Sequence, residues 1–90
     1  MVTEVGKKLL STLRKTFTDV RIFRTAKTLD SVYITGGTGM GPSKTLVSKA
    51  KKVAIDVCGK DNVLRVYGSP GVVAFGTYPS ISIKIKKGIV

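Results

Sequence analysis

The sequence predicts an α+β fold of two layers, with two amphipathic helices packed on one small sheet. Three observations carry that reading. Apolar residues recur at helical spacing in two stretches, 8–25 and 42–58. Segments 31–35, 62–68 and 80–86 are rich in β-branched and aromatic residues and read as strands. Glycines and prolines separate these segments, most densely at 36–41 and 69–79. Ninety residues suit one domain, residues 1–90, and a chain this short gains from association into a dimer.

Taken in order, VTEV (2–5) suits a very short first strand. From Lys8 onward, Leu9, Leu10, Leu13, Phe17, Val20 and Phe23 form a helical stripe, with Lys7, Lys8, Arg14, Lys15, Arg21 and Lys27 mostly off it. The spacing predicts a basic amphipathic helix from about 8 to 25. A rival reading ends the helix near Thr16 and makes 18–23 a strand, because Val20 and Ile22 suit one. SVYIT (31–35) is a strand running into a glycine loop at 36–41. Pro42 is pre-set for the first position of a second helix. Leu46, Val47, Ala50, Val53, Ala54 and Val57 supply that helix's buried stripe, and Gly59 closes it. NVLRVYG (62–68) and SISIKIK (80–86) are the last strands; in the second, Ile81, Ile83 and Ile85 alternate with Ser82, Lys84 and Lys86. The intervening 69–79 is a long hairpin loop with apolar and aromatic content.

The stretch YITGGTGMGPSKT (33–45) resembles a phosphate loop only in composition. Such a loop needs lysine directly after its last glycine, whereas Pro42 and Ser43 separate Gly41 from Lys44. Proline also removes an amide donor where the anion would sit. A strand-to-helix connection is the better reading.

Catalytic chemistry has little to work with. The chain has no histidine and one cysteine, so the commonest general base and a cysteine-based zinc site are both missing. Glu4, Asp19, Asp30, Asp56 and Asp61 show no paired spacing, and Cys58 reads as packing. We expect no enzyme activity, no cofactor, no metal site and no small-molecule substrate. The lone cysteine and the lack of a long apolar run suit a cytoplasmic protein, with a membrane partner disfavoured.

Charge is the informative property. Sixteen Lys+Arg against five Asp+Glu give a net +11 and a pI near 10.2. The surplus recurs along the chain: residues 1–27 carry seven basic against two acidic residues, 42–60 five against one, and 80–90 three against none. A surplus in every segment points to a polyanion, with nucleic acid first. Lysines dominate, and only one asparagine and no glutamine are present, so phosphate contact is expected to outweigh base reading. The candidate contacts are Lys7, Lys8, Arg14, Lys15, Lys44, Arg65, Lys84 and Lys86, with Ser69, Phe75 and Tyr78 on a hairpin arm. DNA, RNA or both are the expected partners; an RNA-specific ribonucleoprotein module and a basic protein–protein or membrane-surface adaptor are the alternatives.

In order along the chain, Gly6-Lys7-Lys8, DSVYITG (30–36), SKTLVSKA (43–50), LRVYGS (64–69) and ISIKIKK (81–87) together resemble the Alba family of archaeal chromatin proteins. The resemblance implies a compact β-α-β-α-β-β fold, a homodimer, and largely sequence-independent binding to nucleoid DNA or to RNA. It further implies that Lys7 and Lys8 are the central phosphate contacts and that 69–79 is an arm reaching along a groove. The rival reading of 18–23 gives the order α-β-β-α-β-β instead.

Overall fold

Thr3 opens the first helix. Its Oγ1 accepts the Gly6 N–H at 3.0 Å, and Glu4 follows in the first turn, where a carboxylate suits the helix dipole. Thr3 also donates from Oγ1 to Ile89 O at 2.7 Å and from its backbone N–H to Val90 O at 3.0 Å. The computed structural model describes residues 2–24, 26–35, 44–68 and 79–90. In it, α1 (Glu4–Arg14) begins where a first strand was expected, because Thr3 is committed to capping and residues 4–5 already lie in the helix.

The helix also ends earlier than the 8–25 stripe suggests. After Arg14 come threonines at 16 and 18 and then Val20 and Ile22, residues that lose rotamer freedom in a helix and pack well in a sheet. Val20 and Ile22 lie in β1 (Asp19–Phe23), which pairs antiparallel with β2 (Leu29–Thr35) through Val20↔Ile34 and Ile22↔Val32. Phe23, counted on the helical stripe, instead stands 40% exposed. A spacing of three residues from Val20 puts it on the opposite face of a strand.

The second helix, α2 (Lys44–Cys58), buries Ala50, Ala54 and Cys58, with Leu46, Val47, Val53 and Val57 partly buried around them. Gly59 follows at φ 94°, a conformation glycine adopts without steric cost, and a 3₁₀ turn (Lys60–Asn62) leads into β3 (Val63–Gly68). Burial pushes the Cys58 thiol up from its ordinary value, in keeping with a packing role.

The last strand, β4 (Pro79–Lys86), lies between β2 and β3, so the sheet runs β1-β2-β4-β3 with every neighbour antiparallel. Among the described residues the order of elements is therefore α-β-β-α-β-β, not the β-α-β-α-β-β that the family resemblance implies. It consists of two successive α-β-β units, and exchanging them leaves the strand order unchanged.

Both helices pack on one side of the sheet. Leu9 and Leu13 from α1 and Ala50 and Ala54 from α2 meet Val20, Val32, Ile34, Ile81, Ile83 and Ile85 in one buried cluster. Beside this core sits a polar clamp. Asp30 is fully buried, its Oδ1 2.8 Å from Lys87 Nζ and its Oδ2 3.0 Å from Arg24 Nη1. Arg24 Nη2 also donates to Val90 O at 2.9 Å, so one carboxylate ties β2 to the segments after β1 and β4.

Gly6 marks the closest approach of α1 to the last residues. A Cβ there would meet the backbone oxygen of Val90 and lie 2.7 Å from Val2 Cγ1. Helix propensity alone favours alanine by about 1 kcal/mol. Overpacking costs roughly 1–3 kcal/mol, and here backbone must yield. We therefore expect Gly6→Ala to lower the urea midpoint at unchanged m-value; a raised midpoint would show that the last residues move aside freely.

Candidate nucleic-acid interface

Alternation along the strands fixes what the other side of the sheet presents. With Val20, Ile22, Val32, Ile34, Ile83 and Ile85 turned to the helices, the intervening residues turn away from them. The register lines them up across strands. Arg21 lies beside Tyr33, then Ser82, then Tyr67; Phe23 lies beside Ser31, then Lys84, then Arg65; Leu29 lies beside Lys86. Among the described residues, no helix packs on this side.

The side chains on this face touch one another. The Phe23 and Tyr33 rings have centroids 4.9 Å apart, tilted by 36°. Lys84 Nζ lies 4.8 Å from the centre of the Tyr33 ring, and donates to Ser31 Oγ at 2.9 Å and Tyr33 Oη at 3.2 Å. The hydrogen bond from Lys84, then that with Ser31, hold the Tyr33 phenol below its ordinary value against the opposing pull of burial. On the far strand the Arg65 guanidinium carbon lies 4.4 Å from the Tyr67 ring centre. These contacts keep cations and rings together without neutralising the cations.

Electrostatically the face is one-sided. Arg21, Arg65, Lys84 and Lys86 share it with one described carboxylate, Asp19, whose Oδ1 is 3.0 Å from Arg21 Nε. Among the described residues, no carboxylate pairs with Arg65, Lys84 or Lys86. The face can therefore bind anions by charge and flat unsaturated groups by stacking. No three Cys, Asp or Glu among the described residues cluster in a way that could hold a metal ion.

The structure divides the residues singled out from the sequence. Arg65, Lys84 and Lys86 come together on the sheet face. Lys7, Lys8 and Arg14 belong to α1, Lys15 caps its end, and Lys44 opens α2, in the layer on the opposite side of the sheet. Lys7 lies 3.5 Å from Glu4, and Arg14 Nη2 donates to Val20 O at 2.8 Å, joining helix to strand. Within one chain the eight positions do not form a single cationic surface. Ser69, Phe75 and Tyr78, the expected arm, lie outside the described residues, as does the whole glycine loop, 36–41.

The contact residues expected from the sequence do not include Arg21, which the 8–25 helix reading assigns to that helix's surface, nor Phe23, Tyr33 and Tyr67. The signal was present in DVRIF and SVYIT, where period-two alternation puts Arg21 and Phe23 on one face and Tyr33 on the matching face of the next strand. Reading 8–25 as one helix hid it.

The fold and this face define a two-layer α+β protein with one helix-covered and one basic, aromatic sheet surface. Comparison with protein-family models, curated proteins and solved structures finds no match to the chain. No helix among the described residues is long and apolar enough to cross a membrane.

Proposed function

We propose that the protein binds nucleic acid largely without regard to sequence, using the exposed sheet face as its principal contact surface. The observation that carries this reading is the grouping of Arg21, Arg65, Lys84 and Lys86 around Phe23, Tyr33 and Tyr67, with one carboxylate among them. Arginine and lysine there meet phosphates as charge-assisted hydrogen-bond donors. Lysines on the helical layer raise the local concentration of polyanion and add contacts of longer range. A chromatin-type role at the nucleoid, and a dimer that brings two such faces to one strand, are what the resemblance to the Alba family implies; the net charge of +11 supports the attraction to a polyanion that both require.

The ionic-strength dependence of binding tests this directly. Each phosphate neutralised contributes a slope of roughly −0.7 for single strands and −0.9 for duplex in log affinity against log salt. Four contacts on the sheet face thus predict a slope near −3, and a loss of roughly sixtyfold between 50 and 200 mM salt. The expected result is that slope on unrelated sequences, with affinities that agree within a few-fold. A slope near zero, or affinity confined to one sequence, overturns the reading.

A further inference from the structure

Resting on the nucleic-acid reading, we propose that the sheet face takes single strands in preference to duplex, with bases stacked on the Phe23–Tyr33 pair and on the Arg65–Tyr67 pair. Width is the first argument. Four strands place the axes of β1 and β3 three spacings apart, about 14 Å, before any side chain is added. A major groove is about 12 Å wide and admits a helix or a two-stranded ribbon, not a four-stranded face.

The chemistry of the face is the second argument. Intact duplex presents base edges in its grooves and keeps base faces stacked on one another. Rings on a sheet gain nothing from edges but much from unstacked bases, for which aromatic side chains and guanidinium planes are the usual partners. Here Phe23 on β1 and Tyr33 on β2 lie to one side of β4 and Tyr67 on β3 to the other, and Ser82, a small residue, lies between Tyr33 and Tyr67 in register. Two stacking stations therefore stand two strand spacings apart, roughly 10 Å. Cations flank both: Arg21 and Lys84 beside the first, Arg65 at the second. A strand laid across the sheet can set bases on both stations while its phosphates follow the cations.

The alternative is that these rings serve only as cross-strand packing pairs that stabilise the sheet. The two roles separate in one experiment, fluorescence anisotropy with a labelled mixed-sequence oligonucleotide offered as single-stranded RNA, single-stranded DNA, the matching duplex, and an abasic strand of equal length. The wild-type protein is expected to bind the single strands at least about tenfold more tightly than the duplex. It should bind the abasic strand, which keeps the phosphates and lacks the bases, as weakly as the duplex. Tyr67→Leu keeps apolar volume at the site, and is expected to lower single-strand affinity roughly 5- to 150-fold while leaving duplex affinity within about twofold. Because the abasic comparison needs no variant, the proposal stays testable even if Tyr67→Leu unfolds. Equal affinity for the strand with and without bases, or duplex bound as tightly as single strand, overturns the stacking inference while leaving the phosphate reading standing. Absence of binding to all four ligands at low salt overturns both.

Discussion

Asp30→Asn is expected to cost the fold about 2–3 kcal/mol, a large fraction of what a domain of this size possesses. The carboxylate is fully buried and receives hydrogen bonds from Lys87, Arg24 and the Gly88 N–H, the last at 3.4 Å. Removing one partner of a buried pair usually costs about 3–5 kcal/mol. The smaller figure applies here because the Arg24 and Lys87 side chains are 31% and 40% exposed, so both can recover water. The change is also expected to alter how stability depends on pH. Burial by itself would raise the Asp30 pKa, but the bonds from Lys87 and Gly88 and the charges of Lys87 and Arg24 outweigh it and hold it below the ordinary value. A carboxylate depressed in the folded state contributes stability that is complete above its unfolded value, near 4, and is lost as pH falls through the folded value. The gap between wild type and Asp30→Asn should therefore be widest at neutral pH and close as pH drops below about 4. Urea unfolding at a series of pH values measures both effects; a constant gap between pH 7 and pH 2 would show that the clamp is not electrostatic.

The clamp also illustrates what the sequence could and could not reveal. Asp30 stands one residue before a strand-like run, and nothing in its neighbourhood marks it as buried. Its partners are six and fifty-seven residues away, brought to it by the return of β1 and by the far end of β4. The strands 31–35 and 80–86 were legible because alternation and β-branching act within a few residues. So was the second helix, whose Ala50 and Ala54 stripe ends at a glycine. The segment 18–23 was ambiguous for a physical reason: its apolar positions satisfy a period of three or four about as well as a period of two. Pairing with β2 decides between them, and pairing is a long-range event. That single ambiguity concealed Arg21 and Phe23, two of the seven residues of the candidate site, which become surface neighbours of Tyr33 only once β1 exists. Charge, by contrast, was legible in amount but not in place. The cations of the helical layer and those of the sheet face are equally conspicuous in the chain, and only the alternation of the strands separates them.

Reversing charge on the sheet face is the second change with a large expected effect. Arg65→Glu with Lys86→Glu should weaken binding to a single strand about 100-fold or more, since two charge-assisted contacts, each contributing roughly 1.5–3 kcal/mol, become repulsions. Lys7→Glu with Lys8→Glu alters net charge by the same amount on the helical layer, beyond the sheet. At physiological salt the screening length is about 8 Å, so charges on that side act weakly on a ligand held by the sheet. Both doubles replace exposed residues, so both should fold. The most direct measurement is the affinity of these two charge-matched variants, side by side, for one single-stranded oligonucleotide at physiological ionic strength. We expect the sheet variant to lose at least about 100-fold and the helix variant no more than about fivefold. Equal losses, or the greater loss in the helix variant, would contradict the claim that the sheet face holds the nucleic acid.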